Sequence, residues 1–570
     1  LHDISKSLSS SPNKAFSLNS SFATDLNKGN IDLPKLSVIG LGLVIDGKLT
    51  RRITNGDKDT INGHLSVRGE KVNSLLEALG QKDLAASIDG LSLDAGINGT
   101  MTDLTVSPLT LLAKVNRKNR SNPVDLTLTA GAAHMNLEKE TLTVNDLSLT
   151  GLGMNVGVNI NASKIKTEPT ITGNVNIPVF NLRQVLNGLN QEIPPMADPN
   201  ALTAFALNTE FYGTSKSVAL SKLDMALDQS ILRGDLAIDD FEGADVRFAL
   251  GIDQINADAY MRPTQKGYVR PITPEAAAVG ATQLPIETLR KIKIAGDLIV
   301  GRLQISGAKL RDAKLSINAA DGSIKINPLA ASLYDGNYDG IIDLDATTKV
   351  PRLTIDTKLT GINVEPLLFD LTGNRSLSGT ANLSTNLVAI GNDSDALKRN
   401  LSGPLNFLIE NGVYRGIDVA TILSQIEVMV ETKRPGVVQK GGETKFQTLA
   451  GTINFKNGVG SNNDLLLDGS GFKVTGNGIV ANLNNDTMKY DALVSVESAR
   501  SQQGESTYNL GGYSVPIKCR GKFGADTCKP DIGDIVAEIA KSAVTKEIGR
   551  KLEDVLGGGA GKALKKLFRF

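Results

Sequence analysis

The feature that most constrains this chain is an alternation of apolar and polar residues with a period of two, which recurs along most of its length. In one segment the apolar residues Leu353, Ile355 and Leu359 alternate with polar ones. The same alternation places six further residues on one face of later segments: Phe472, Val474, Met488, Tyr490, Val494 and Val496. Successive side chains of a strand point to opposite sides, so the pattern predicts antiparallel sheets with one apolar and one wet face. The predicted fold class is therefore all-β, and these nine residues are candidates to line the apolar face.

Pairs of Asn or Asp followed by Gly punctuate the alternating segments. They occupy positions 55–56, 62–63, 98–99, 321–322, 411–412 and 457–458. Such pairs tolerate positive φ and favour tight hairpins, so the chain is predicted to be a succession of meanders.

A short helical motif follows several of the strands. Its copies are FNLRQVL at 180–186, INADAYM at 255–261, INVEPLL at 362–368 and IDVATIL at 417–423, with a weaker copy, EKVNSLL, at 70–76. Asn181, Asn256, Asn363 and Asp418 are the predicted N-caps, and Lys71 stands at that position in the weaker copy. Helices this short cannot cover a long sheet, so its apolar face must close into a sandwich or barrel, or stay open as a groove.

Changes of pattern divide the chain into four parts. Residues 1–261 and 286–529 carry the alternating segments, and 262–285 between them has four prolines and no alternation, which predicts an extended linker. Residues 530–570 have apolar residues at helical spacing and end in KALKKLFRF, which predicts an amphipathic helical tail. Such a tail could lie on an anionic membrane surface or cap the end of the sheet. The polar start at Leu1 is expected to follow a segment that has been lost.

The composition argues against nucleic acid as a partner and against most catalytic chemistry. The chain has 61 basic and 61 acidic residues, whereas duplex-binding proteins carry a basic excess or stripe. It has three histidines, so the commonest general base and metal ligand is nearly missing. The segment DGNYDGIIDLDA at 335–346 begins like a calcium loop, but Ala346 stands where a bidentate Glu is required, and a hairpin is the better interpretation. We expect no catalytic residue, no cofactor and no metal site.

The two cysteines, Cys519 and Cys528, have eight residues between them. Two thiols cannot complete a four-ligand structural zinc site. In an exported protein, a close pair at the end of a strand indicates a disulfide.

The C-terminal third of the chain resembles the C-terminal region of AsmA-family proteins. The matching segments are LSGPLNFLIENGVYRGIDVATIL at 401–423, TKFQTLAGTINFKNGVGSNNDLLLDGSGFKVTGNGIVANL at 444–483, NLGGYSVPIKCRG at 509–521 and KPDI at 529–532. A looser similarity extends back to about Val124. The residues that we single out from this resemblance are Gly412, Arg415, Gly416, Asp418, Gly476, Gly478, Pro516, Pro530 and Asp531.

The resemblance implies a periplasmic protein of Gram-negative bacteria, anchored in the inner membrane by an N-terminal helix that does not match anything in this chain. Relatives are associated with phospholipid traffic toward the outer membrane and with outer-membrane integrity. Their fold resembles a long, curved β-groove with an apolar inside. Phospholipid is then the expected ligand, because each acyl methylene costs about 0.8 kcal/mol to leave in water. The tail at 530–570 is a candidate contact with the outer membrane or a partner protein.

Two other functions stay open at this point. A periplasmic scaffold would assist outer-membrane protein assembly by pairing its sheet edges with client strands. A glycan-active enzyme would need paired carboxylates in a cleft. At Arg415, Gly416 and Asp418, a contact with a lipid head group or a partner competes with a structural turn in which Asp caps a helix, and the turn is favoured.

Overall fold

Most of this structure, a computed structural model, consists of strands that pair with their neighbours in sequence. It describes residues 17–25, 30–40, 42–54, 58–70, 72–78, 88–115, 123–189, 191–263, 283–432, 441–496, 514–522, 528–531 and 533. Strands predominate in these ranges and the helices are few and short, so the all-β prediction is confirmed. Most of the predicted linker and of the predicted tail, and also Asn55, Gly56 and Lys71, lie outside the described residues.

The chain divides into two compact units, of which the first comprises Leu1–Val269 with Ile292–Leu303 and the second Arg270–Lys291 with Gln304–Phe570. The strands of the first unit are β1 (Ser17–Asp25), β2 (Asn30–Gly40), β3 (Leu43–Thr54), β4 (Lys58–Gly69), β5 (Ile88–Gly99), β6 (Asp103–Val115), β7 (Val124–Ala130), β8 (Ala132–Asn136), β9 (Thr141–Gly151), β10 (Met154–Ser163), β11 (Thr170–Phe180), β12 (Phe205–Gly213), β13 (Val218–Leu227), β14 (Ser230–Asp240), β15 (Asp245–Asn256) and most of β16 (Lys293–Ile305). Those of the second are β17 (Ala308–Ala320), β18 (Ser323–Leu333), β19 (Gly336–Asp345), β20 (Arg352–Asn363), β21 (Leu377–Ile390), β22 (Gly403–Arg415), β23 (Glu443–Lys456), β24 (Val459–Gly469), β25 (Phe472–Asn482), β26 (Thr487–Val496), β27 (Val515–Lys522) and β28 (Cys528–Pro530).

Both units are antiparallel meanders, as the turn pairs predict. In the first, each strand pairs with the next from β1 to β6, β7 and β8 share one position between β6 and β9, and the succession continues to β15. In the second, every strand from β17 to β28 pairs with its neighbour in sequence.

The antiparallel succession of the first unit is interrupted between β15 and β16. The Lys293 N–H donates to the carbonyl oxygen of Ala244 at 3.3 Å, and the Arg302 guanidinium donates to the Gln254 side chain at 2.8 Å. Residue numbers rise together along both strands, so β16 runs parallel to β15. Parallel neighbours need a crossover connection of a dozen or more residues. The predicted proline-rich segment 262–285 lies within that connection, whose parallel outcome was not predicted.

The helices are α1 (Asn73–Ala78), α2 (Leu182–Gly188), a 3₁₀ turn (Ala257–Tyr260), α3 (Ile286–Lys291), α4 (Val364–Thr372), α5 (Ser394–Arg399) and α6 (Val419–Thr432). The helical motif is confirmed at all four full copies. The side chains of Asn181 and Asp418 accept bonds from the N–H groups of Gln184 and Thr421, each at 2.9 Å. Asn256 and Asn363 occupy the N-cap position without a side-chain cap bond.

Among the Asn-Gly and Asp-Gly pairs within the described residues, those at 321–322 and 457–458 form the predicted tight turns. Residues 321–322 and 457–458 join β17 to β18 and β23 to β24, with positive φ at every position. The prediction is wrong at 62–63, which lies inside β4, and at 411–412, which lies inside β22. There Asn411 has a φ of 52° and the β21–β22 register shifts nearby. The left-handed residue therefore makes a bulge in the strand instead of ending it.

Glycines within the strands give aromatic rings room to lie along the sheet. A Cβ added to Gly451 would lie 3.0 Å from the ring of Phe407, its cross-strand partner, and one added to Gly476 would lie 2.6 Å from the Tyr490 hydroxyl.

At the C-terminal end, β28 is fastened to β27 by covalent and ionic contacts. Cys519 and Cys528 are register partners joined by a disulfide, so the predicted pairing is confirmed. Nearby, the Lys518 ammonium donates to the Asp531 carboxylate at 2.6 Å. This hydrogen bond lowers the pKa of Asp531 and raises that of Lys518.

A partly buried carboxylate, that of Asp228, holds the 3₁₀ turn against the rest of the first unit. Asp228 accepts bonds from the N–H groups of Leu202, Thr203 and Ala204 and from the Tyr260 hydroxyl. Burial favours a higher pKa for Asp228, but these hydrogen bonds outweigh it and leave the pKa below its ordinary value. Burial, with the bond to Asp228, raises the pKa of Tyr260 to about 12.

Replacing both cysteines with serine is expected to lower the free energy of unfolding of the second unit by about 2–3 kcal/mol, because the cross-link restricts the unfolded chain. Urea denaturation followed by circular dichroism measures this. Reductant should destabilise the wild type and leave the double variant unchanged. Equal midpoints for oxidised wild type and variant would contradict the expectation.

The variant Asp228→Asn is expected to lose about 1 kcal/mol of stability at neutral pH, a value that allows for the partial exposure of the carboxylate. Because the folded pKa lies below the ordinary value of 3.8, the carboxylate stabilises fully above that value and ceases to do so as pH falls through the folded pKa. Urea midpoints of the two proteins should thus differ by a constant amount above about pH 5 and converge in stronger acid. A gap that widens on acidification would refute this assignment.

Candidate functional site

Apolar side chains lie directly opposite one another across the strands of the second unit. One row joins Ile317, Ile326, Ile342, Ile355 and Leu387 on five successive strands. A parallel row joins Ala331, Tyr338, Leu359, Leu383 and Phe407. Register partners project to the same side of a sheet. We call this side the apolar face of the second unit.

Three of the predicted lining residues lie on the open part of this face. Leu353, Ile355 and Leu359 on β20 are half-buried, whereas Asp356 and Lys358 on the opposite side of the strand are exposed. They have register partners on β19 and β21, and part of each side chain stays accessible. This is the arrangement expected for a sheet with one apolar and one wet face.

A longer row connects this open part to the remaining predicted residues. It runs through Ile362, Ala381, Ile409, Leu449, Leu467, Val474, Val494 and Val515, one on each strand from β20 to β27. The two predicted sets of lining residues therefore share one continuous apolar face.

Helix α6 covers the C-terminal end of that face. Its buried residues Val419, Ile422, Leu423, Ile426 and Met429 form one apolar cluster with side chains of β25, β26 and β27, namely Phe472, Val474, Tyr490, Val494, Val515, Ile517 and Cys519. The expectation that the helices are too short to cover the sheet is wrong here, because α6 has 14 residues and is about 21 Å long.

Six of the predicted lining residues belong to this cluster or pack against it. Phe472, Val474, Tyr490 and Val494 are buried within it, and Met488 and Val496 pack against it partly buried. These side chains contact protein, unlike Leu353, Ile355 and Leu359. Burial of such side chains stabilises a fold by about 1.5–3 kcal/mol each.

The start of α6 is held by hydrogen bonds to the first residues of β23 and to the glycines before them. The Thr444 hydroxyl donates to the Ile417 carbonyl oxygen at 2.5 Å and accepts from the Val419 N–H at 3.1 Å. The Gly416 N–H donates to the Gly442 carbonyl oxygen at 2.9 Å, and Gly416 has a φ of 141°. With Asp418 as the cap, the favoured interpretation of 415–418 as a structural turn is confirmed.

The Arg415 side chain joins β22 to α4. Its guanidinium donates to the Arg375 carbonyl oxygen at 2.7 Å and pairs with the Glu365 carboxylate at 3.4 Å. Arg375 also pairs with Glu365, at 3.2 Å, and stacks on the ring of Phe369 at 4.1 Å. These contacts account for Arg415 structurally, and a head-group contact there stays a prediction.

A polar cluster within the apolar face was not predicted. Asn462 is 1% exposed, donates to the Thr452 carbonyl oxygen at 3.0 Å and to Asp464 at 2.7 Å, and accepts from the Tyr490 hydroxyl. Burial, with the nearby Asp464 charge, raises the pKa of Tyr490 and keeps its hydroxyl protonated. Asn462 and Asn463 are alike in the sequence, and the strand register decides which of them turns inward.

The other residues singled out from the resemblance lie in strands of the second unit or directly after one. Gly412 faces the ring of Phe446, and Gly478 is the register partner of Tyr490. Pro516 and Pro530 lie on β27 and β28, and Asp531 follows as the partner of Lys518. The residues singled out from the resemblance therefore lie on, or directly after, strands between β22 and β28.

The calcium-like segment forms a strand. Tyr334 and Asp335 have positive φ and turn the chain into β19, so the hairpin interpretation of 335–346 is confirmed. Within the described part of the chain, no three His, Cys, Asp or Glu side chains gather as a metal-binding group. Among the helices of the described ranges, none combines the length and apolarity needed to cross a bilayer.

A family model described as the AsmA family matches residues 47–465. The match starts well before Val124, where the similarity noted from the sequence begins. It includes Gly412, Arg415, Gly416 and Asp418 and ends before Gly476. A search of curated proteins finds no match.

Leu423→Ala is expected to destabilise the second unit by about 2–5 kcal/mol, because Leu423 is 0% exposed and its truncation leaves a cavity. Val428→Ala is the matched control on the same helix, since Val428 is 56% exposed and its loss should change stability by about 0.5 kcal/mol or less. Urea unfolding followed by circular dichroism compares them. Equal effects would mean that α6 is not packed against the sheet.

Proposed function

The chain belongs to the AsmA family, and on that premise we propose that it is a non-enzymatic, lipid-binding protein that carries phospholipid between the inner and outer membranes. AsmA-family proteins are associated with the cell envelope. The observation that carries the proposal is the continuous apolar face of the second unit. Its half-buried aliphatic residues on β18–β21 are Ile326, Ile342, Ile355, Leu359, Leu383 and Leu387.

The dimensions and chemistry of this face suit acyl chains. Neighbouring strands lie about 4.8 Å apart, so the five strands β18–β22 give a surface about 20 Å wide. Aliphatic side chains provide no fixed geometry and accept chains of different length. Each methylene moved from water onto such a surface gains about 0.8 kcal/mol. A lipid could thus keep its tails on the face and its head group in solvent, and no catalytic group is needed.

The proposed location is the periplasm of a Gram-negative bacterium, with an anchor in the inner membrane. Transfer between two membranes requires a carrier that shields acyl chains across an aqueous gap. The family assignment and the lipid-compatible face both support this location. In it, the Cys519–Cys528 disulfide would be stable, because the periplasm is an oxidising compartment.

Native mass spectrometry of the purified protein tests the proposal. We expect phospholipid to co-purify and to be released on denaturation. Bound client peptide without lipid would favour a scaffold for outer-membrane protein assembly. A protein that carries neither, and that takes up no phospholipid from vesicles, would contradict the proposal.

A pair of neighbouring variants locates the binding surface. Leu359→Glu places a charge on the apolar face, and Lys358→Glu places the same charge on the wet face of β20. We expect Leu359→Glu to reduce bound phospholipid about tenfold, equivalent to losing contact with about two methylenes, and Lys358→Glu to have little effect. Equal reductions would show that charge, and not the apolar face, controls binding.

A further inference from the structure

Helix α6 occupies the position that a ligand would take if it extended along the apolar face. The row on β20–β23 comprises Ile362, which is 1% exposed, and the half-buried Ala381, Ile409 and Leu449. It continues without interruption into Leu467, Val474, Val494 and Val515. Val474, Val494 and Val515 are buried in the cluster beneath α6, and Leu467 packs against it. The same apolar surface is thus accessible at one end and covered by the chain itself at the other.

The covering helix is chemically similar to the proposed ligand. The side that meets the sheet is aliphatic, with Ile422, Leu423 and Ile426 buried, whereas Ser424 and Val428 on the other side are exposed. An aliphatic surface does not distinguish leucine and isoleucine side chains from acyl methylenes, because the hydrophobic effect is non-directional. Helix and lipid therefore bind this surface through the same physical force.

Both chain connections of α6 to the sheet carry glycine in the left-handed region of φ. Gly416 precedes the helix with a φ of 141°, and Gly441 and Gly442 precede β23 with φ of 93° and 91°. The β22–β23 pairing closes just beyond them, at Arg415 and Glu443. A rotation of α6 about these glycines would break the hydrogen bonds from the Gly416 and Asp418 N–H groups to the carbonyl oxygens of Gly442 and Gly441, but it would keep every register pair between β22 and β23.

From these three observations we propose that the surface beneath α6 is a second acyl-binding segment, for which the helix and phospholipid compete. The inference rests on the proposed function and adds a location to it. Acyl chains bind first on β18–β22, and they reach β24–β27 when α6 moves away from the sheet. Lipid occupancy of the second segment and packing of α6 are mutually exclusive.

Hydrogen exchange on the wild-type protein tests the competition without any substitution. The probe is vesicles of phosphatidylethanolamine and phosphatidylglycerol, added to delipidated protein. We expect amide exchange at residues 422–429 to accelerate at least tenfold when lipid binds, while β20 and β21 exchange no faster. Unchanged protection of 422–429 at saturating lipid would overturn the proposal.

Photo-crosslinking separates failure of this inference from failure of the proposed function. A diazirine side chain at Leu359 reports on the open surface, and one at Val496 reports on the margin of the covered cluster. Ile426→Ser weakens the packing of α6, and Val428→Ser is the control on its exposed side. We expect lipid labelling from position 496 to rise at least threefold in Ile426→Ser alone, with constant labelling from position 359.

The outcomes are distinct. Labelling from 359 without any rise from 496 in Ile426→Ser would reject the second segment and leave the proposed function intact. No labelling from 359 in any protein would reject the proposed function itself. If Ile426→Ser does not fold, the hydrogen-exchange measurement on the wild type decides.

Discussion

Lateral contact between side chains on neighbouring strands is the interaction on which the apolar face of the second unit depends. Ile342, Ile355 and Leu387 are direct cross-strand neighbours, a geometry in which Cβ atoms lie about 4.5–5.5 Å apart. These contacts bury part of each side chain and leave the rest accessible. In a sandwich, a facing sheet would bury the remainder. Where α6 supplies such a second layer, Val474 and Val494 become fully buried, so the two ends of one face illustrate both situations.

Much of this architecture could be predicted from the sequence, because an apolar–polar alternation with a period of two indicates a β-strand with one apolar and one polar side. The alternation at Leu353–Leu359 and Met488–Val496 gave the strands and the faces correctly. The caps Asn181 and Asp418 gave the starts of two helices. The Asn411-Gly412 pair was misassigned because a positive φ suits a hairpin turn and a bulge equally, and local sequence does not state whether the partner strand continues.

The covered end of the face could not be predicted for a different reason. Residues 417–423 look like the other motif copies, and the apolar spacing that continues through Ile426 and Met429 indicates a longer helix but not its partner. That partner comes from strands that begin 40 residues or more after the helix ends. The inward position of Asn462 and the parallel pairing of β16 with β15 depend likewise on tertiary register. Non-local pairings of this kind have no signature within a short window of sequence.

Half-burial of the open face also bears on how this surface can change in evolution. A side chain in a close-packed interior is limited in volume on every side, but Ile355 and Leu359 are only half-buried, so part of each side chain faces accessible space. A larger or differently branched aliphatic residue at these positions would extend into that space without displacing a facing layer. Selection would therefore act strongly on the polarity of these residues and weakly on their shape. Val, Ile, Leu, Met and Phe could replace one another on this face while it stayed apolar.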